Sequence, residues 1–140
     1  MKDRIVNIKS LILALTLLSL ISCSEINTTN PKETYKYWSG NDSPSDFDLL
    51  NGQFWQSSHW TREYIMYLEF KPSEDWWNEF LKQNNISDDE GDWIMPTDAP
   101  TWFKPSENTV RFGGNNDFDQ GSRYFKDTLT GVCYIYEIQL

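Results

Sequence analysis

The last nine residues of the chain constrain the fold more than any other segment. In residues 132–140, apolar side chains occupy both alternating sets of positions, and Cys133 and Ile135 interleave with Tyr134 and Tyr136. Alternation with a period of two predicts a β-strand. A strand that is apolar on both faces must be covered on both sides, so we expect it in the middle of its sheet. Residues 121–126 precede it as a hairpin partner, across a turn at 127–131.

Further elements upstream predict the rest of the sheet and a helix. Residues 59–71 alternate as a strand does, residues 49–56 are compatible with a preceding strand, and residues 108–112 with a short one. Ser73 can cap a helix over 73–84, whose apolar stripe is formed by Trp76, Trp77, Phe80 and Leu81. The predicted fold class is α+β, with an antiparallel sheet of four or five strands and one main helix packed on it.

Between the helix and the hairpin lies an irregular segment, residues 86–116, which contains three prolines and several aromatic side chains. We expect it to be an ordered loop that covers the core. Its acidic run is either a solvated loop or a docking site for a basic partner. The predicted contact surface combines that run with nearby aromatic residues: Asp88, Asp89, Glu90, Asp92, Trp93, Trp102 and Phe103.

The first 23 residues have the pattern of an export signal. Basic residues are followed by an apolar run over 11–21 that is too short to span a membrane. The run ends in Leu20-Ile21-Ser22-Cys23, which resembles the lipobox of bacterial lipoproteins. The resemblance implies cleavage before Cys23 and acylation of its thiol and new amino terminus. It divides the chain into a signal peptide (1–22), a lipidated cysteine with a flexible tether (23–45), and one domain (46–140).

This resemblance also implies a location in the bacterial cell envelope. Some lipoprotein families have a sorting rule in which Asp after the cysteine marks inner-membrane retention. Here Ser24 takes that position, so the outer membrane is the expected location rather than the inner membrane.

Charge excludes one broad class of partner. The whole chain carries a formal net charge of −9. Removal of Lys2, Arg4, Lys9 and Asp3 with the signal leaves 9 basic and 20 acidic residues, a net charge of −11. Such a surface repels nucleic-acid phosphates, so we expect no nucleic-acid partner.

A metal site has weak support in the sequence. Asn115, Asp117 and Asp119 resemble the start of a calcium loop, in which alternate oxygen side chains point at one cation. However, Gln120 stands where glycine is required, and Lys126 stands where the bidentate glutamate belongs. An ordinary turn explains the segment equally well, so we expect no metal and no cofactor.

Catalytic residues are also not indicated. His59 has no nucleophile in a recognised motif, and Cys133 alternates within an apolar strand, where it is expected to be a buried hydrophobic residue without a disulfide partner. Glu63, Glu69 and Glu137 could pair as acid and base, but carboxylates on strand surfaces are common. The prediction is that the protein is not an enzyme.

The aromatic content leaves two interpretations open, because indoles near element ends can fill a core or stack on sugar rings. The indoles near element ends are those of Trp38, Trp55, Trp60, Trp93 and Trp102. The C-terminal stretch SRYFKDTLTGVCYIYEIQL and the upstream PTWFKP resemble small uncharacterised bacterial lipoproteins. These motifs concern packing and turns, so the resemblance implies a fold and no catalytic residues.

The functional hypothesis from the sequence is a membrane-anchored, non-catalytic lipoprotein that binds a protein partner. An immunity or inhibitor role against a basic toxin is one version of it. The alternatives are a surface glycan-binding accessory lipoprotein and a structural envelope lipoprotein.

Overall fold

In the computed structural model, residues 24–114 and 119–140 are described, and they form one antiparallel sheet with two helices. The strands are β1 (Ile26–Thr28), β2 (Asp48–Gln56), β3 (Tyr64–Lys71), β4 (Ile86–Asp88), β5 (Thr109–Gly114), β6 (Arg123–Asp127) and β7 (Cys133–Gln139), and the helices are α1 (Pro31–Ser39) and α2 (Glu74–Gln83). Their order in the sheet is β1-β2-β3-β7-β6-β5-β4. The α+β class is confirmed, but seven strands and two helices replace the predicted four or five strands and one helix.

The C-terminal strand β7 lies at the centre of the sheet, as its two apolar faces predict. It pairs with β3 from Tyr64 opposite Gln139 to Phe70 opposite Cys133. On its other side it pairs with β6. Three strands therefore lie on each side of β7, and its side chains meet a cover on both faces of the sheet.

One face of the sheet, called the helix face below, is covered by α1 and α2. Its centre consists of side chains with no exposed surface: Met66, Leu68, Phe70, Cys133 and Ile135. Helix α2 begins after Ser73, whose hydroxyl accepts a hydrogen bond from the Trp76 N–H at 3.4 Å. Trp77 of this helix is buried against Phe70. The predicted helix and its apolar stripe are confirmed.

The opposite face, called the loop face, is covered by the chain between β4 and β5. Tyr67, Phe125 and Tyr136 from three strands are buried under it. Two short turns shape the covering segment. One is closed by a hydrogen bond from the Ala99 N–H to the Pro96 carbonyl, and the other by a hydrogen bond from the Phe103 N–H to the Pro100 carbonyl. The prolines thus prevent a regular element, and the aromatic residues between them supply the cover, as predicted.

The predicted tether over residues 23–45 requires a correction, because β1 and α1 lie within it. The Asn30 side chain caps α1 by accepting from the backbone N–H groups of Lys32 and Glu33, and Pro31 occupies the first turn. Thr34 and Tyr35 are buried on the helix face. Residues around Tyr35 therefore dock on the sheet as a helix, and the folded part of the chain begins near residue 26 rather than at residue 46.

Candidate functional site

The predicted acidic run lies at an edge of the sheet, and residues 88–94 are called the acidic loop below. Its first residue, Asp88, ends the edge strand β4 opposite Phe112 of β5. The Asp89 N–H then donates to the Arg111 carbonyl at 3.0 Å, so the chain follows β5 for one residue more. The acidic loop therefore begins as an extension of the sheet.

Asp89 anchors the acidic loop to the sheet through two arginines. Its Oδ2 atom lies 3.0 Å from Arg111 Nε and 2.6 Å from Arg123 Nε. Arg123 also contacts Asp119, with 2.6 Å between Nη1 and Oδ2. Only 19 % of the Asp89 side chain is exposed, so this ion-pair network is partly shielded from water.

The charge on Asp89 is stabilised by these neighbours. Burial alone opposes its ionisation, but the Gly91 N–H and the guanidinium groups of Arg123 and Arg111 outweigh that effect. Together they hold the pKa of the Asp89 carboxyl below its usual value. Asp89 is therefore a charged residue whose carboxylate is engaged inside the domain.

Further hydrogen bonds fix the acidic loop beyond Asp89. The Gly91 N–H donates to Asp89 Oδ1 at 3.0 Å, and the Arg111 guanidinium donates to the carbonyl groups of Asp89 and Gly91. At the far end, Trp93 Nε1 donates to the Gly121 carbonyl at 3.1 Å. Both ends of the loop are thus fastened to the sheet.

The remaining carboxylates of the acidic loop face solvent. Asp88, Glu90 and Asp92 are exposed, and within residues 24–114 and 119–140 their side chains form no ion pair or side-chain hydrogen bond. Beside them Ile94 is 87 % exposed. An exposed isoleucine among free carboxylates forms a small amphipathic surface. Sequence reasoning missed Ile94 because it resembles its apolar neighbours Trp93 and Met95, which are partly buried.

The aromatic half of the predicted contact surface belongs to the core of the loop face. Phe103 is 2 % exposed, and its ring centroid lies 5.1 Å from that of Tyr67. Trp93 packs at 5.4 Å from Phe125, and Trp102 packs edge-on against Phe103 at 6.0 Å. Trp93, Trp102 and Phe103 therefore stabilise the cover of the sheet.

The weak calcium candidate is only partly within the described residues. Asn115 and Asp117 lie outside them. Asp119 is described, and its carboxylate accepts from Arg123 and from the Gly121 N–H. Across the described ranges, no group of three or more His, Cys, Asp or Glu side chains could hold a metal ion. Cys23, the predicted lipidation site, also lies outside these ranges.

The structure separates two of the pairs considered from the sequence, Cys133 with His59 and Glu69 with Glu137. His59 precedes β3 near the end at which Gln139 pairs, whereas Cys133 is buried at the other end of β7. Burial raises the pKa of the Cys133 thiol to about 12, so it is not a nucleophile near neutral pH. Glu137 lies opposite Met66 of β3, so the two side chains are on the same face of the sheet. Glu69 is three residues from Met66 along β3, and successive side chains of a strand alternate between faces. Glu69 and Glu137 therefore point to opposite faces of the sheet.

Two of the indoles considered as sugar platforms donate hydrogen bonds to carboxylates of the same chain. Trp38 Nε1 donates to Glu137 at 2.6 Å, and Trp55 Nε1 donates to Glu25 at the same distance. Trp60, in the connection between β2 and β3, is 89 % exposed. Of the five indoles considered, Trp60 alone is largely exposed.

Comparisons with known proteins find no relative. No protein-family model matches the sequence, and no curated protein and no solved structure gives a significant match. Among the helices that the structure describes, none is long and apolar enough to cross a membrane.

Proposed function

We propose that the protein is a non-catalytic binding protein that holds a basic protein partner through the acidic loop. The observation that carries this proposal is the separation of roles within the loop. Asp89 is used internally, whereas Asp88, Glu90 and Asp92 are left free and exposed beside Ile94.

Rigidity of the acidic loop supports a binding role. The ion pairs of Asp89 with Arg111 and Arg123 fix the backbone before any partner arrives. A surface that is already ordered loses less conformational entropy on association than a flexible one. The loop therefore presents three carboxylates in a defined arrangement.

The chemistry of this surface selects the partner. Three free carboxylates on a protein of net charge −9 attract a basic surface and accelerate its encounter. Ile94 supplies an apolar contact. It would fit a small hydrophobic pocket on the partner that is bordered by lysines and arginines. A basic toxin neutralised by this protein, as in an immunity or inhibitor role, fits that description.

Membrane attachment is the second half of the proposal. The lipobox-like Leu20-Ile21-Ser22-Cys23 supports anchorage by lipid on Cys23, in the cell envelope and at the outer membrane. Mass spectrometry of the protein purified from membranes tests it, since cleavage and acylation give a defined mass. Wild-type protein purified at the mass of the uncleaved chain, or cleaved without added acyl mass, would contradict lipidation.

Affinity capture from the source organism, with residues 24–140 as bait, tests the binding role. The captured partner's association rate is then measured at low and high salt. Glu90→Lys/Asp92→Lys should slow association about ten-fold or more at low salt, because it removes the attraction that steers encounter. The difference should shrink at high salt.

A matched control distinguishes the effect of the acidic loop on the association rate from the effect of the protein's total charge. Asp46→Lys/Asp48→Lys makes the same change in charge at exposed positions at the start of β2, which lies toward the other edge of the sheet. This control should leave most of the association rate intact. Equal slowing by both variants, or no slowing by the loop variant, would overturn the proposed site.

A further inference from the structure

A cleft opens on the helix face where β2 ends and β3 begins, away from the acidic loop. Its volume is about 310 Å³, at the lower end of the range in which small-molecule sites fall. Its lining mixes rings with polar side chains, namely Tyr37, Trp38, Gln56, Arg62, Tyr64 and Gln139. Such a lining suits a small polar ligand that also has an apolar face.

Three stacked aromatic rings form one wall of the cleft. Tyr37 stacks on Phe54 with centroids 5.5 Å apart, and Phe54 stacks on Tyr64 at 5.7 Å with the planes 17° apart. Phe54 is buried, whereas the Tyr37 side chain is 47 % exposed. Because Phe54 covers one face of Tyr37, the exposed surface of the tyrosine is a flat platform beside the cleft.

Two of the aromatic side chains are held in place by a single carboxylate. Glu137 accepts a hydrogen bond from Trp38 Nε1 at 2.6 Å and from the Tyr64 hydroxyl at 2.8 Å. The two donors come from α1 and β3, so Glu137 ties the helix to the sheet at the cleft. The wall is therefore ordered without a ligand, which favours specific binding.

A cationic side chain lies at the rim. Arg62 is exposed, and within the described parts of the chain its guanidinium has no ion pair or hydrogen bond. Its backbone has φ 52°, a left-handed conformation that is unfavourable for arginine, and the turn holds it there with a hydrogen bond from the Arg62 N–H to the His59 carbonyl. An unpaired arginine in a protein of net charge −9 is available to a ligand carboxylate.

We propose that this cleft binds a pyranose that carries a carboxylate, as in a uronic acid unit of a polysaccharide. The C–H face of the sugar ring lies on the aromatic wall at Tyr37. The amides of Gln56 and Gln139 can donate to and accept from its hydroxyl groups. Arg62 pairs with the carboxylate, which a planar guanidinium can bind through two hydrogen bonds. This site shares no residue with the acidic loop, so it is independent of the proposed function.

Calorimetric titration with methyl glucuronide and methyl glucoside tests the cleft, because the two sugars differ in the carboxylate. The glucuronide should bind about ten-fold or more tightly than the glucoside, as expected for a charge-assisted hydrogen bond. Arg62→Gln should abolish this preference and leave the weak common affinity. Tyr37→Ala should weaken binding of both sugars.

Trp60→Ala is the matched control, since Trp60 is the most exposed large aromatic residue among those the structure describes and does not line the cleft. Both sugars should bind this variant as they bind the parent protein. Loss of binding in Trp60→Ala, a glucuronide preference that survives Arg62→Gln, or no saturable binding of glucuronide to the parent protein would each overturn the proposal.

Discussion

At the scale of single residues, Glu137 has the most unusual environment of the described carboxylates. It lies on the helix face between the Trp38 indole and the Tyr64 hydroxyl, with Tyr124 and Asp119 lining the neighbouring cavity. Burial raises the pKa of the Glu137 carboxyl, and the hydrogen bonds from Tyr64 and Trp38 lower it without cancelling the effect of burial. The net shift is upward, so ionisation of Glu137 opposes folding.

A Glu137→Gln variant should reveal this cost as a function of pH. The folded protein holds the Glu137 proton more tightly than the unfolded chain, whose glutamate pKa is about 4.3. The contribution of Glu137 to the wild-type free energy of unfolding therefore falls as pH rises from about 4 through the raised pKa, whereas glutamine does not titrate. The stability of Glu137→Gln relative to wild type should increase across that window, as measured by urea unfolding at a series of pH values.

Glu79→Gln, at an exposed position on α2, controls for the loss of one negative charge. A difference between Glu137→Gln and wild type that stays constant with pH would mean that the Glu137 carboxyl ionises as easily in the folded protein as in the unfolded chain.

The sequence could not predict which residues of the candidate site pair internally and which remain free. The acidic run was visible, but Asp89 looked the same as its acidic neighbours. Its partners Arg111 and Arg123 lie 22 and 34 residues further along the chain. Only the pairing of β4, β5 and β6 brings them together. For the same reason, the sequence could not show that Phe103 is buried and Ile94 exposed.

At the scale of elements, α1 depends on a close approach to β2 at Gly52. A Cβ atom at Gly52 would lie 2.7 Å from Pro31 Cα and 2.8 Å from Thr34 Cβ. Thr34 is fully buried at this contact. A glycine is therefore needed in the middle of β2, where it otherwise weakens a strand.

Gly52→Ala should destabilise the protein by about 1–3 kcal/mol, the usual cost of forcing extra volume into a packed site. The contact includes a backbone atom of α1, which cannot move aside as a flexible side chain does. Gly40→Asn is the control, because Gly40 has φ 75°, a Cβ atom there would meet nothing within 4 Å, and asparagine tolerates that conformation. Thermal unfolding should show a marked loss for Gly52→Ala and little change for Gly40→Asn; equal stability of all three proteins would contradict the close approach.

The sequence contains residues that indicate the start and end of α1, but the polar composition of the segment led to the prediction of a tether. Asn30, Pro31 and Gly40 are the cap, first-turn and terminating residues of a nine-residue helix. Averaged over residues 24–45, however, the segment looks too polar to fold. A helix this short is not stable alone and depends on docking. The strands β1 and β4, of three residues each, are too short for an alternation pattern to predict.

At the scale of the whole molecule, the sheet is buried on both faces by segments from different parts of the chain. The segment between β4 and β5 covers the loop face, whereas α1 and α2 share the helix face. Helix α1 contributes Tyr35, which packs against Phe47, and Trp38, which packs against Phe80 of α2. The N-terminal segment is thus part of the core, although it also connects the domain to the region of the predicted anchor.

Removal of residues 24–45 should therefore disrupt the domain. Burial of Tyr35 and Trp38 contributes roughly 1.5–3 kcal/mol each, a large part of the roughly 5–15 kcal/mol by which a domain is stable. The truncation also removes β1, so β2 becomes an edge strand. We expect residues 46–140 to unfold with low cooperativity and to bind a dye specific for exposed apolar surface, whereas residues 24–140 unfold in one transition. If both chains unfolded at the same denaturant concentration with the same slope, residues 24–45 would be a tether after all.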